Sequence, residues 1–207
     1  MHALLWLNGE VSGLDIAQLQ PPHYYARIVA VDGGLRHALA YGYTPHVVLG
    51  DFDSASQWHQ GPWQIIHRPN PQFTDLAKAL DYCRELGIDT ISLVGGLGGW
   101  LDHSLANLSL LSSYRSYFQQ QVYGPRERLF WLSSSLQLRL KIAQRLSLLA
   151  MPYAEGVTSQ GLLYPLEDDQ LQWGGWQGIS NQASETLVQL TLNRGLILVC
   201  VAYEVEE

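Results

Sequence analysis

The chain has 207 residues, of which 47% are apolar and only 15% are charged, whereas an ordinary soluble domain carries about 25% charged residues. This composition excludes a disordered chain and a coiled coil, and the length suffices for one large domain or two small ones. A net charge of −7 and twelve scattered Lys and Arg residues argue against nucleic acid as a partner.

The N-terminus has no basic region and too short an apolar run for a signal peptide. The longest apolar stretch, residues 195–203, is far below the ~20 residues that a membrane-spanning helix needs. Cys83 and Cys200 each lie singly in an apolar stretch, which is typical of buried, reduced thiols. We therefore expect a cytoplasmic protein with no membrane partner.

From residue 1 to about residue 125, short apolar runs alternate with segments of helical period, as in a parallel α/β sheet. Strands are predicted at residues 3–7, 27–31, 47–49, 65–67, 90–94 and 121–123. The clearest helix covers residues 75–86, with Thr74 as its N-cap and Gly87 as its C′ glycine. A second helix is predicted to start near Leu101, with an apolar stripe of Leu101, Leu105, Leu108 and Leu111.

After Gly124-Pro125 the pattern changes to short strand-like runs separated by turn residues. Strands are predicted at residues 128–132, 136–142, 145–149, 171–173, 186–193 and 196–202, the last two joined by an Asn193-Arg194-Gly195 turn. The predicted fold is an α/β protein with two domains packed against each other. Residues 1–125 form a three-layer, Rossmann-like parallel-sheet domain, and residues 126–207 form an all-β sandwich or barrel.

Asp51 and Asp53 directly follow the strand at residues 47–49, at the sheet edge where open α/β proteins bind ligands. Paired carboxylates suit Mg²⁺, which also bridges to substrate phosphates. The alternative is a turn with two solvated aspartates. Asp75 begins a helix, and it either complements the helix dipole or supplies a third carboxylate to the metal.

Glycine-rich segments follow two other predicted strands. Asp32-Gly33-Gly34 opens a helix, so these glycines either let the backbone approach a phosphate or ribose or make a tight connection. Residues 95–99 hold four glycines, which is typical of backbone that passes close to a ligand. Asp102 is either a fourth carboxylate near the phosphates or a helix-start residue, and His103 fits a structural role better than a catalytic one.

All of these elements follow predicted parallel strands, so they converge on one edge of the sheet. This convergence indicates a nucleotide phosphate site built around Mg²⁺ by aspartates. The Gly-x-x-x-x-Gly-Lys-Ser/Thr signature of a P-loop enzyme is absent from the sequence. Phosphoryl transfer mainly requires that the reactants are positioned and that a cation stabilises the phosphate oxygens. Aspartates and a metal ion supply both.

Several segments of the chain occur in an order that is specific to one protein family. They are Asn8-Gly9, Asp32-Gly33-Gly34 and residues 43–54, 74–80, 98–107, 155–166 and 178–181. In this order they resemble the thiamine pyrophosphokinase family over nearly the whole chain. The resemblance implies transfer of a pyrophosphoryl group from ATP to the hydroxyl of thiamine, which gives AMP and thiamine diphosphate. It also implies a homodimer whose active site lies between the α/β domain of one subunit and the β domain of the other.

The resemblance assigns roles to individual residues. It implies Mg²⁺ ligands at Asp51, Asp53 and Asp75, with Asp102 nearby as a further catalytic carboxylate. It implies ATP contacts from Asn8, Asp32, Gly33, Gly34, Ser54, Thr74, Gly98 and Gly99. It implies that Tyr164 stacks on thiamine, whose thiazolium cation is attracted by an aromatic face, and that Ser180 and Asn181 meet the aminopyrimidine.

Three residues depart from the family pattern. Gln72 stands where an acidic residue is usual, Trp100 replaces an Arg that could bind phosphate, and Ile179 replaces a Thr. The metal aspartates remain, which favours an active enzyme. The alternatives are a pyrophosphokinase for another heterocyclic alcohol such as a hydroxymethylpterin, a nucleotide or thiamine sensor that has lost turnover, and a pyrophosphatase-like hydrolase.

Overall fold

The computed structural model describes residues 1–51 and 61–203 of the chain. The chain divides into two compact units, Met1–Pro125 and Arg126–Glu207. Among the described residues, no helix has the length and apolar character needed to cross a membrane. The cytoplasmic location expected from the sequence stays a prediction.

The first unit contains a parallel sheet with the strand order β4-β3-β2-β1-β5-β6. Its strands are β1 (His2–Trp6), β2 (Arg27–Val31), β3 (Val47–Gly50), β4 (Gln64–His67), β5 (Thr90–Val94) and β6 (Gln119–Tyr123). The central strand β1 is buried along almost its whole length, because a sheet covered on both faces needs near-continuous apolar strands.

In the described part of the first unit, three α-helices lie in the connections between these strands: α1 (Gly34–Ala40), α2 (Asp75–Glu85) and α3 (Leu101–Ser113). Helix α2 begins as predicted, because the Thr74 hydroxyl accepts a hydrogen bond from the Ala77 N–H at 3.2 Å. It ends before Gly87, which adopts a φ of 67°. These features place Asp75 on the first turn of α2.

The predicted apolar stripe of α3 is wrong in its first half. Leu111 is buried, but Leu101 and Leu105 are 71% and 47% exposed. Helical period identifies the face of a helix that could be buried, but it does not tell whether anything covers that face.

The described part of the second unit, residues 126–203, consists of antiparallel strands and their connections, without a helix. Its strands are β7 (Glu127–Leu132), β8 (Ser135–Arg139), β9 (Arg145–Gln160), β10 (Asp169–Gln172), β11 (Gly178–Gln182), β12 (Leu187–Thr191) and β13 (Arg194–Ala202). The long strand β9 pairs with β10, β11, β12 and β13. The fold is therefore a sheet-rich α/β fold, while the Rossmann-like and sandwich descriptions stay predictions.

The predicted Asn193-Arg194-Gly195 turn is wrong, because Arg194 and Gly195 belong to β13. Strands β12 and β13 themselves form close to their predicted positions. They pair with different stretches of β9: Thr191 lies opposite Thr158, and Arg194 lies opposite Glu155. Strand β11 was not predicted, because its polar sequence carries little strand signal of its own and its pairing depends on β9.

Candidate active site

The carboxyl ends of the parallel strands bring several predicted site residues to one edge of the first unit. Asp32 follows β2 and Asp51 follows β3, and these strands are paired in register. The Asp32 N–H donates to the Leu49 carbonyl at 2.8 Å. A Cβ built on Gly50 would lie 3.5 Å from the Asp32 Cβ. Asp32 therefore packs beside the residue that precedes Asp51.

Two of the predicted metal ligands meet at one lysine. The Lys78 ammonium lies 2.9 Å from the Asp75 Oδ1 atom and 3.6 Å from the Asp51 Oδ2 atom. The Lys78 side chain is only 5% exposed, whereas both carboxylates are 35% exposed. Asp51 and Asp75 thus face a common cation and remain accessible to solvent.

The charge of Lys78 follows from its surroundings. Burial lowers the pKa of the ammonium, but the hydrogen bond to Asp75 and the negative charges of Asp75 and Asp51 outweigh burial and raise the pKa above its usual value. Lys78 is therefore a buried cation at neutral pH, where the two carboxylates compensate its charge.

Neighbouring groups fix the backbone of Asp51. The His67 imidazole on β4 makes a 3.0 Å hydrogen bond to the Asp51 carbonyl through Nε2. The Arg68 N–H donates to the Gly50 carbonyl at 2.9 Å, and the Arg68 guanidinium pairs with Glu85 on α2 through two bonds of 3.2 and 2.6 Å. A cavity of about 460 Å³ adjoins these groups, and its lining includes Lys78 and Phe73.

Asp32 combines backbone strain with an unmatched acceptor. Its φ of 47° lies in the left-handed region, which a non-glycine residue adopts only when the surrounding structure compensates the cost. Among the described residues, nothing donates a hydrogen bond to its buried Oδ1 atom. A buried carboxylate oxygen without a donor costs free energy, so this atom is suited to a donor on a ligand.

The glycines after Asp32 have a structural explanation in the protein itself. A side chain on Gly33 would collide with the Asn8 side chain, and one on Gly34 would collide with the Trp6 carbonyl. Asn8 in turn accepts a 2.8 Å hydrogen bond from Arg36 on α1. These glycines are therefore required for the tight connection from β2 to α1.

In the segment between β5 and α3, packing explains Gly98 but not Gly99. Gly98 packs against Glu10, but a Cβ on Gly99 would meet nothing within 4 Å, although Gly99 has a φ of 74°. Asp102 is exposed, and its Oδ1 atom accepts a 2.8 Å hydrogen bond from the adjacent His103 N–H. Trp100 is the N-cap residue of α3, without a side-chain capping bond, and is 79% exposed.

Asn181 and Tyr164, which were both predicted to bind thiamine, are hydrogen-bonded to each other within the second unit. Asn181 is 4% exposed. Its Oδ1 atom accepts from the N–H groups of Tyr164 and Gln182 at 3.1 and 2.9 Å, and its Nδ2 atom donates to the Tyr164 carbonyl at 2.7 Å. The Asn181 amide thus fixes the backbone of Tyr164, while Tyr164 itself is 65% exposed.

Ser180 is held in an unusual conformation by two neighbours. Its φ is 57°, its N–H donates to the Ser147 hydroxyl at 3.0 Å, and its own hydroxyl accepts from the Arg145 guanidinium at 3.1 Å. Arg145 also lies 3.8 Å from Glu127. Burial raises the pKa of the Glu127 carboxyl, and the charge of Arg145 opposes this shift.

Not every predicted residue can be placed. Asp53 and Ser54 lie outside the described residues. Within residues 1–51 and 61–203, no three His, Cys, Asp or Glu side chains are arranged to hold a metal ion together. The complete predicted set of metal ligands therefore stays a prediction, with Asp51 and Asp75 as its described members.

Sequence reasoning assigned no role to Lys78, Arg145 or Ser147. For Lys78 a signal existed, because it lies three residues after Asp75, where helical side chains meet. Ser147 and Arg145 carried no comparable signal, since they reach Ser180 across strand pairing between residues that are far apart in sequence.

Comparisons with known proteins agree on one family. The family model "Thiamin pyrophosphokinase, catalytic domain" matches residues 24–123, and "Thiamin pyrophosphokinase, vitamin B1 binding domain" matches residues 135–197. Thiamin pyrophosphokinase 1 of Caenorhabditis elegans is 27% identical over 209 residues, which cover 93% of this chain and 86% of the relative.

Two Bacillus subtilis comparisons give the same result. The thiamine pyrophosphokinase of this organism is 24% identical over 180 residues, which cover 82% of this chain and 84% of the relative. A crystal structure of thiamine pyrophosphokinase from Bacillus subtilis shares the fold, with a TM-score of 0.85 at 21% identity, over 99% of this chain and 100% of that one. The two family models together match most of the chain, so this chain belongs to the thiamine pyrophosphokinase family.

Proposed function

We propose that this chain is a thiamine pyrophosphokinase that transfers a pyrophosphoryl group from ATP to the hydroxyl of thiamine. The observation that carries the proposal is the convergence of Asp51 and Asp75 on Lys78, in the unit whose residues match the catalytic-domain model. In the reaction, the thiamine oxygen bonds to the β-phosphorus of ATP, and the bond from that phosphorus to the α-phosphate oxygen breaks. The products are thiamine diphosphate, AMP and the hydroxyl proton.

The carboxylate pair fits a magnesium ion. Carboxylate oxygens are the ligands that Mg²⁺ prefers, and both Asp51 and Asp75 already face a cation while remaining partly exposed. These two residues, with Asp53 as the third predicted ligand, would hold the ion. When bound, Mg²⁺ neutralises phosphate charge and orients the transferred group.

The surroundings of the pair suit a nucleotide. The cavity of about 460 Å³ that shares Lys78 has the size of a small-molecule site. The unmatched Oδ1 atom of Asp32 can accept a hydrogen bond from a nucleotide hydroxyl. The ATP contacts predicted for Asn8, Thr74, Gly98 and Gly99 belong to the same proposal.

The second unit supports thiamine binding through Tyr164 and Ser180. An exposed aromatic ring on a backbone fixed by Asn181 suits a flat, cationic heterocycle. The hydrogen bonds of Asn181 to backbone groups favour a positioning role for this residue over a direct contact with the aminopyrimidine.

The proposal includes a two-fold homodimer whose interface consists mainly of residues after Pro125 and whose active site is shared between subunits. Exposed large apolar side chains support an interface on the second unit; they are Ile142, Leu163, Tyr164, Trp173, Trp176 and Ile179. Light scattering at micromolar concentration tests this point, and a monomer that retains full activity would contradict it.

The function is tested by incubating the full chain with ATP, Mg²⁺ and thiamine while AMP and thiamine diphosphate are quantified. Formation of both products in equal amounts supports the proposal. Production of AMP only when a hydroxymethylpterin replaces thiamine would identify a different pyrophosphokinase. Binding of ATP and thiamine without products would identify a sensor, and ATP cleavage that needs no acceptor would identify a hydrolase.

A further inference from the structure

Lys78 occupies a position that helix stability does not explain. It lies on the first turns of α2, four residues after the N-cap Thr74, where the positive end of the helix dipole disfavours a cation. Its side chain is 5% exposed, although lysine is among the residues least often buried. It is also one of only two lysines in the chain, the other being the exposed Lys141.

A purely structural ion pair is a weak explanation for this arrangement. Burying an ammonium has a desolvation penalty, and the attraction within a buried ion pair often only offsets that penalty. Lys78 instead contacts two carboxylates that come from separate elements, Asp51 after β3 and Asp75 on α2. This geometry places a single positive charge between the two groups that are proposed to share a divalent cation.

We propose that Lys78 is a positioning residue that occupies the cation's place between Asp51 and Asp75 in the metal-free protein and turns to the nucleotide phosphates when the metal binds. The inference rests on the proposed function, because it takes the two aspartates as metal ligands. Without a cation the two carboxylates would repel each other, so the ammonium keeps them together. The Lys78 ammonium would leave carboxylates that hold a divalent ion, and phosphate oxygens would offer it new acceptors.

The chemistry of lysine suits this exchange. The ammonium has three donors on a flexible four-carbon stem, and it binds phosphate as a point charge without a fixed fork geometry. Lys78 is also among the lining residues of the 460 Å³ cavity, so its ammonium can reach a ligand there through rotation of its own side chain.

The test is a pair of binding measurements on the full chain, with Mn²⁺ as a paramagnetic probe for the divalent site. The first measures Mn²⁺ alone, and the second measures Mn²⁺ with the non-cleavable analogue α,β-methylene-ATP. Removing the positive charge that lies between the two carboxylates should make Lys78→Met bind Mn²⁺ alone about tenfold more tightly. The same variant should bind the Mn²⁺–analogue complex about tenfold more weakly, because a charged donor to phosphate is lost.

Control variants separate this role from a general disturbance. Lys141→Met makes the same change at the other lysine and should match the wild type in both measurements. Lys78→Arg keeps the charge and should restore weak binding of Mn²⁺ alone. Thermal melting without ligand verifies that the variants fold, and Lys78→Gln serves as the second neutral variant.

Two results would overturn the inference. If Lys78→Met and Lys78→Gln bind Mn²⁺ alone no more tightly than the wild type, Lys78 does not occupy the metal's place. If the variants gain the same factor in affinity for the Mn²⁺–analogue complex as for Mn²⁺ alone, Lys78 does not turn to the phosphates. If the wild type binds Mn²⁺ no better than Asp75→Asn does, the proposed metal site itself is wrong. This control therefore distinguishes failure of the proposed metal site from failure of the role proposed for Lys78.

Discussion

The carboxyl edge of the first unit and the Tyr164 region of the second unit use polar side chains in opposite ways. At the edge, the Lys78 ammonium contacts both Asp51 and Asp75, and the two carboxylates remain partly exposed to solvent. In the second unit, Asn181 directs its amide at backbone groups and carries no charge. The first region therefore presents charged groups to a ligand, whereas the second uses a neutral amide to fix the backbone of an exposed residue.

This contrast predicts which property of the protein each substitution changes. Substitutions of the carboxylates that meet a ligand should reduce turnover more than stability, because these side chains are partly exposed. Buried amides that hold a loop should control stability and affinity together.

Replacing Asp75 by Asn should reduce turnover by about a thousandfold, since metal stabilisation of the phosphate charge is a matter of several kcal/mol. The free energy of unfolding should also fall, by about 1–3 kcal/mol, because the buried Lys78 ammonium loses its 2.9 Å partner. Initial rates of AMP release and chemical denaturation measure the two effects. Asp51→Asn and Asp53→Asn should reduce turnover in the same way.

The matched control is Asp15→Asn. Asp15 caps a short 3-10 helix by accepting a hydrogen bond from Ala17, and Asn is an equally good cap. This variant should keep wild-type turnover. Equal losses in Asp15→Asn and Asp75→Asn would remove the distinction between metal ligands and other aspartates.

Replacing Trp100 by Arg should increase ATP affinity by about 1.5–3 kcal/mol, the contribution of a charged hydrogen bond, if the side chain faces the phosphates. Trp100 is 79% exposed at the N-cap of α3, so the exchange leaves no buried cavity. Calorimetric titration with ATP measures the affinity. Unchanged affinity and turnover would show that position 100 lies away from the nucleotide.

Replacing Asn181 by Ala should lower the free energy of unfolding by about 1–3 kcal/mol, because buried backbone groups lose their partners. The KM for thiamine should rise together with this loss, since Tyr164 is no longer held by two hydrogen bonds. Denaturation and steady-state kinetics measure the pair of effects. A variant with raised KM but unchanged stability would indicate that Asn181 contacts thiamine directly.

Replacing Tyr164 by Ala should weaken thiamine binding by about 1 kcal/mol, the size of a partly desolvated cation–π contact. Stability should stay within about 0.5 kcal/mol, as expected for an exposed side chain. Tyr164→Phe keeps the aromatic face and should bind as the wild type does. If Tyr164→Phe loses as much affinity as Tyr164→Ala, the hydroxyl and not the ring is responsible.

Much of the fold was predictable from local patterns. The strands Arg27–Val31 and Thr90–Val94 match their predicted bounds, because apolar runs with turn residues on both sides mark buried strands. Helix α2 was predictable from Thr74 and Gly87, whose effects are local. The β11 strand was not, because its pairing with β9 is a property of distant residues.

The same boundary between local and distant contacts applies to the candidate sites. The Lys78–Asp75 pair spans three residues and follows from helical spacing. The contact of Lys78 with Asp51 depends on how α2 packs against the sheet. The Asn181–Tyr164 bonds span 17 residues, so no sequence pattern reveals that this asparagine holds a backbone.

The smallest predicted effect is a difference between the two units in how their stability depends on pH. All seven histidines lie in residues 1–125, and burial lowers the pKa of His2 and His37 below the usual 6.5. Their neutral forms therefore contribute stability that is present above about pH 6.5 and is lost as the pH falls through their folded pKa values. In the second unit, burial raises the pKa of Glu127, so its penalty appears as the pH rises above the unfolded value of 4.5 and disappears on acidification.

Lowering the pH from about 7 to about 5 should thus weaken the first unit and slightly strengthen the second. Hydrogen exchange with mass spectrometry, corrected for intrinsic exchange rates, measures protection in each unit of the full chain. The double variant His2→Gln and His37→Gln should lose the acid sensitivity of the first unit, and Glu127→Gln should stabilise the second unit at neutral pH. Parallel changes of protection in both units would show that their stabilities do not respond to separate groups of titrating residues.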